Sequence, residues 1–237
     1  MELRYDDVTV VDEPQLCGNR FKILILGRNG SGKSALIHRL KNNVFPDPDT
    51  IASFPNVTVV VRAVHGSIFK ADLVESDLTD FLAKDSSSNK SSVHFARQTL
   101  DVNGLLLIYD ITNSNTFWEI DEVLRIVERM VSPDVDICLV GTKADLVDHR
   151  QISFKEAESK SHQLGFSLFE TSAMMGINCE EMLLEMLDKL AERRQEVQQY
   201  VSESTEVYQT TISTSDQESA EPSIFCWLPR LLWRRKR

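Results

Sequence analysis

The 237-residue chain holds only four cysteines, Cys17, Cys138, Cys179 and Cys226, and no two of them form a Cys-x-x-Cys pair. That excludes a disulfide framework and a zinc knuckle, and leaves free thiols in a reducing compartment as the expectation. Long apolar runs are missing too. None approaches the roughly 18–20 residues that cross a bilayer as a helix, so no transmembrane segment is expected. The opening residues MELRYDDVTVVDEP are acidic and lack the apolar centre of a secretory signal, so a cytoplasmic location is expected. No internal repeat is present. With 42% hydrophobic and 26% charged residues, wholesale disorder and collagen-like or coiled-coil architecture are excluded. The length accommodates one ordinary domain with tails.

Charge is unevenly spread. The chain carries 36 acidic and 26 basic residues. Residues 222–237 hold five of the bases and no acid, so the remainder has a net charge of −15. An acidic body disfavours nucleic acid as a partner.

The hydrophobic pattern alternates between strands and helices. Phe21–Leu26 is a short, mostly apolar run, followed by a glycine-rich loop and the helical pattern Ala35–Leu40. Val57–Val64 and Ile68–Leu73 read as a hairpin around His65-Gly66. Leu105–Tyr109 and Ile137–Val140 are continuous apolar runs, typical of parallel strands buried on both faces. Helical spacing covers Phe117–Met130, Phe154–Leu164 and Cys179–Val197, with a strand at Ser167–Phe169. The fold class is therefore α/β: a mostly parallel six-stranded sheet with helices on both faces. Residues 1–19 read as a polar extension, 20–197 as the domain, and 198–221 as a flexible linker rich in Ser, Thr, Gln and Glu. The Lys84–Ser92 stretch reads as a mobile serine-rich loop.

Gly27-Arg28-Asn29-Gly30-Ser31-Gly32-Lys33-Ser34 fits the pattern G-x-x-x-x-G-K-S, and it lies between a strand and a helix as a phosphate-binding loop must. Glycines let backbone N–H groups turn in around phosphate oxygens, and the helix beginning at Ala35 adds its positive end. Lys33 would bridge the outer phosphates, and Ser34 would place its hydroxyl on Mg²⁺. Thr142-Lys143-Ala144-Asp145-Leu146 follows another strand. A carboxylate there can accept two hydrogen bonds from guanine N1 and N2, donors that adenine lacks. The Lys143 stem can lie over the ring. Glu170-Thr171-Ser172-Ala173 ends the next strand, where its N–H groups could meet guanine O6. An ATPase or P-loop kinase is disfavoured by that guanine signal.

Over residues 20–197 the chain resembles the Ras superfamily of small GTPases. It is nearest the Rab and Ras branches in Ile108–Thr112, Leu139–Leu146 and Glu170–Ala173. The resemblance implies GTP or GDP with Mg²⁺ as cofactors, Asp145 as guanine selector, and Phe45 as the aromatic that packs on the base. It also implies Lys33 as the catalytic cation, an effector, an exchange factor, an activating protein, and a monomeric state.

The second metal-and-phosphate motif of that family is Asp-x-x-Gly followed by Gln. The nearest match is Asp72-Leu73-Val74-Glu75-Ser76, placed at the end of a strand Ile68–Ala71, with Asp72 as metal ligand. Glu75 then replaces the glycine and Ser76 the glutamine. Asp72–Asp77 resembles the divergent segment of the RGK branch (Rad, Gem and Rem). In the first switch, Thr50 is the nearest Mg²⁺ ligand and Ser53 its alternative. Asn29 adds a side chain near the outer phosphate. Together these departures predict hydrolysis slowed by two to four decades, on the order of 3–5 kcal/mol. The same departures keep open a second reading, a binding module or scaffold with little or no turnover.

The chain ends Arg-Arg-Lys-Arg237, with no prenylation box. Residues 222–237 set Ile224, Phe225, Trp227, Leu228, Leu231, Leu232 and Trp233 among five basic residues. That composition points to peripheral contact with an anionic membrane face, and Cys226 is an S-acylation candidate.

Overall fold

The computed structural model describes residues 19–52, 55–78, 101–130, 132 and 134–212. In chain order the elements are β1 (Arg20–Gly27), α1 (Lys33–Asn42), α2 (Pro48–Ala52), β2 (Val57–Val64), β3 (Ser67–Asp77) and β4 (Gly104–Asp110). Then follow α3 (Ser114–Trp118), α4 (Ile120–Met130), β5 (Asp136–Thr142), a 3₁₀ turn (Val147–His149), α5 (Phe154–Leu164), β6 (Ser167–Glu170) and α6 (Cys179–Ile212). Contact grouping divides the chain into one compact unit through Ala191 and a second from Glu192 onward.

The sheet has the order β2-β3-β1-β4-β5-β6. Only the β2–β3 pair is antiparallel; β1 pairs in parallel with β3 and β4, and β5 with β4 and β6. Strand composition follows position. The central strands carry unbroken apolar runs, Ile23–Leu26 on β1 and Leu105–Tyr109 on β4, because both faces are covered. On β1, Ile23 and Ile25 face a cluster with Leu36, Ile37, Met182, Leu183 and Met186. The intervening Leu24 and Leu26 face Leu105, Tyr109, Phe117, Val123 and Ala157 on the other side. The edge strand β2 alternates instead, burying Thr58 and Val60 and exposing Val57, Val59 and Val61. Its turn to β3 uses His65 at φ 47° and Gly66 at φ 77°. Two successive left-handed residues form the turn whose twist matches a hairpin.

Capping fixes the later helices. Ser153 and Glu156 form a reciprocal capping box at the start of α5, and Gly165 closes its end at φ 71°. Gly141 on β5 makes room for a neighbour: the Tyr109 phenol oxygen lies 2.6 Å from where a Cβ would stand.

Three expectations change. First, β3 does not stop at Ala71 but runs to Asp77, held in parallel register with β1 so that Gly27 faces Asp77. Its half-buried polar residues hid this: Lys70 and Asp72 lie on one face with the buried Val74 and Ser76, and Glu75 and Asp77 on the other with the buried Ala71 and Leu73. Second, the helix expected over Phe117–Met130 begins earlier and is two helices, α3 and α4, broken at Glu119. Third, α6 runs to Ile212, so residues 198–212 are helical where a flexible linker was expected. Gln198, Gln199, Glu203 and Glu206 are good helix formers, but the Ser and Thr among them give the segment the composition of a linker. Ser53, the serine-rich stretch 84–92 and the tail 222–237 with Cys226 lie outside the described residues. No described helix is long and apolar enough to cross a membrane.

Candidate functional site

The phosphate-binding loop joins β1 to α1. Gly30 and Gly32 take φ of 78° and 92°, which side chains rarely adopt. Gly27 is needed for closeness, because a Cβ there would stand 2.7 Å from the Ile108 carbonyl oxygen. Gly32 also starts α1 with no side-chain cap, so the helix keeps its first N–H groups for an anion. The Thr142 hydroxyl donates to the Ser31 carbonyl at 2.5 Å, tying the loop to the end of β5.

Lys33 is buried at 4% exposure. Its ammonium donates to the carbonyls of Gly27 and Arg28, each at 2.8 Å, and lies 3.7 Å from an Asp77 carboxylate oxygen. Burial pulls its pKa down, while the charges of Asp77 and Glu75 pull it back up. Ser34 donates its hydroxyl to Glu75 at 2.8 Å. Arg28 points away from the loop's centre and pairs with Glu119 at 2.5 Å.

The base side is a pocket of about 270 Å³, lined among others by Ala35, Phe45, Lys143, Asp145, Leu146 and Ala173. Lys143 sits at φ 61° and its ammonium meets Asp110 at 2.6 Å. Asp110 is in turn held by the Thr112 N–H at 2.8 Å and hydroxyl at 2.7 Å. That anchor fixes the Lys143 stem along the pocket wall. Asp145 accepts from the Ser172 hydroxyl at 2.5 Å, which orients its carboxylate and links the two guanine loops. Arg39, from the last turns of α1, braces the second loop. It donates to Ala173 O at 2.6 Å, Met174 O at 2.9 Å and Asn43 O at 2.6 Å.

The structure thus brings together the phosphate loop, Phe45, Thr142, Lys143, Asp145, Leu146, Ser172 and Ala173. It does not bring Asp72 to them. Asp72 lies three residues back on β3 and forms a two-point pair with Arg20, at 2.8 and 3.0 Å. The carboxylate that reaches Ser34 is Glu75, three residues further along β3 than the expected Asp72. Ser76 is buried opposite Leu26 and holds no water-positioning place. Thr50 lies in α2, where its N–H is bonded by the Asp47 side chain at 2.8 Å. Glu75, Asp110 and Arg39 were not assigned roles from sequence. The signal for the first was strand length; Arg39 gave none.

These donors fit the nucleotide and metal that the loop pattern implies. The uncapped helix start and the lysine suit phosphates, and the hydroxyl of Ser34 beside the Glu75 carboxylate offers two oxygens of the kind Mg²⁺ prefers.

Comparison with known proteins agrees. The sequence model of the Ras family matches residues 22–192. Ras-related protein Rab-4 of Dictyostelium discoideum is 31% identical over 163 residues, 69% of this chain and 75% of that protein. Human Ras-related protein Rab-21 is 26% identical over 175 residues, 74% of each chain. Rat Ras-related protein Rab-27B is 30% identical over 179 residues, covering 73% of this chain and 80% of its own. With the phosphate loop, the guanine pocket and the sheet order in place, the chain belongs to the Ras family of small GTPases.

Proposed function

We propose that this protein is a guanine-nucleotide switch with slow intrinsic hydrolysis, acting in signalling or trafficking at the cytoplasmic face of a membrane. One observation carries the nucleotide part: Asp145 and Lys143 share a pocket with Phe45, Ala35 and Gly32 of the phosphate loop. Base and phosphates would lie along one continuous surface. Asp145, held by Ser172, accepts from guanine N1 and N2. Lys33 steadies phosphate charge from a buried position, and Ser34 with Glu75 holds Mg²⁺, which when bound neutralises charge developing on the phosphates. Nothing on β3 orients water: Ser76 faces the core. Turnover at a useful rate therefore needs a group from a partner, as an activating protein would supply.

The test is chromatographic identification of the nucleotide released from purified protein. Near-stoichiometric guanine nucleotide supports the switch. No nucleotide, with no rise in melting temperature on adding Mg²⁺-GDP, rejects it. A scaffold without turnover is the second reading, favoured by the acidic residues that engage Ser34 and Lys33. Membrane contact through residues 222–237 rests on composition. Co-flotation with phosphatidylserine vesicles, abolished by deleting those residues, tests it.

A further inference from the structure

The ammonium of Lys33 has three N–H groups. Two are committed to the carbonyls of Gly27 and Arg28. A third phosphate reaching Lys33 would come to the remaining direction. In this chain a carboxylate already stands there: Asp77 Oδ2 lies 3.7 Å from Nζ. Asp77 is the last residue of β3, opposite Gly27 in register. It therefore approaches Lys33 from the strand that carries Glu75, not from the phosphate loop itself. That is the side on which a third phosphate would lie, since Glu75 meets the Mg²⁺-side hydroxyl of Ser34. The inner phosphates would sit against the loop N–H groups and the start of α1, away from this carboxylate.

We propose that Asp77 stands in for the γ-phosphate at Lys33, so that the site takes guanosine diphosphate in preference to the triphosphate. The inference rests on the guanine-nucleotide reading above and adds which phosphate state the site selects. The physical cause is like charge at short range in a partly buried place. A diphosphate leaves the Lys33–Asp77 pair intact and adds its charge at the loop. A triphosphate brings a further anionic group beside both Asp77 and Glu75, and must displace the former from Lys33. Glu75 can shed its conflict by binding Mg²⁺, whereas Asp77 has Lys33 as its compensating partner and would lose it.

The experiment uses the full chain, freed of nucleotide, with Mg²⁺ present. Affinities for GDP and for a non-hydrolysable GTP analogue are measured by competition against fluorescent GDP. The wild type should prefer GDP by on the order of tenfold or more. Asp77→Asn keeps the shape and removes the charge, and should narrow that ratio by about tenfold through tighter analogue binding, with GDP affinity nearly unchanged. Asp72→Asn removes the same charge from the same strand at the Arg20 pair, and should leave the ratio alone.

Equal wild-type affinities for the two nucleotides overturn the proposal while leaving the guanine reading standing. So does an Asp77→Asn effect that is the same on both nucleotides, or one that Asp72→Asn reproduces. If Asp77→Asn instead weakens the analogue in a Mg²⁺-dependent way, Asp77 is a metal ligand and the proposal fails. Failure of all three proteins to bind any guanine nucleotide, with melting curves showing them folded, overturns the guanine reading and this inference with it.

Discussion

The two ends of the nucleotide site are built differently. At the base end, every polar group has a brace: Asp145 on Ser172, Lys143 on Asp110, Asp110 on Thr112, and the Ala173–Met174 carbonyls on Arg39. At the outer phosphate end, two acids of β3 occupy the groups that a nucleotide and its metal would use. The first end is organised before a ligand arrives. The second must be rearranged by one. A protein can thus keep base recognition while its response to the third phosphate drifts, because different strands supply the two ends.

The largest effect should come from the braced end. Asp145→Asn should lower guanine affinity on the order of 10³-fold, because the amide puts a donor where guanine also donates. Xanthine presents an acceptor there, so xanthosine diphosphate should bind the variant better than GDP in the same competition assay. Retained guanine affinity would break the distinction between the two ends. Lys33→Ala should weaken any nucleotide by about 100-fold whatever its base, since a buried charge that serves the phosphates is lost. Isothermal titration with GDP and xanthosine diphosphate, the latter on the Asp145→Asn background, would show the loss to be independent of the base.

A smaller change follows from the brace itself. Arg39→Ala removes three hydrogen bonds from a charged donor, and GDP release should quicken roughly tenfold in stopped-flow exchange. Arg39→Lys should recover only part, because an ammonium cannot reproduce the planar fork. Release unchanged in both would mean that the base loops hold themselves. Smallest of all, Ser153→Ala breaks the capping box of α5, away from both ends. It should cost about 1 kcal/mol and a few degrees of melting temperature with nucleotide affinity unmoved.

Legibility in the sequence divides along the same line. The strands β1, β4 and β5 announced themselves because burial on both faces demands unbroken apolar runs. The phosphate loop and the Thr142–Asp145 segment could be placed because each follows such a strand. The end of β3 differs from the expectation because the strand, lying between β2 and β1, carries polar residues on both faces, and Asp72 looks like a strand terminus when read one residue at a time. Only pairing with β1, fixed by the fold, reveals that the strand continues to the level of Gly27. Arg39 could not be found at all from local pattern, since its partners Ala173 and Met174 lie more than 130 residues away. The extent of α6 is hidden for a different reason: Ser, Thr, Gln and Glu around Tyr200, Val201, Val207 and Tyr208 give the segment the composition of a linker.

The contact between Tyr109 and Gly141 carries a consequence for how this sequence can change over time. The phenol fills the space a side chain on residue 141 would need. Each residue therefore sets which neighbours the other tolerates. A single-site scan would score Gly141 as immutable, whereas a paired library with a smaller residue at 109 would reopen it. In descendants of this chain the two positions should change together or not at all, so their history would be written as a correlation and not as invariance.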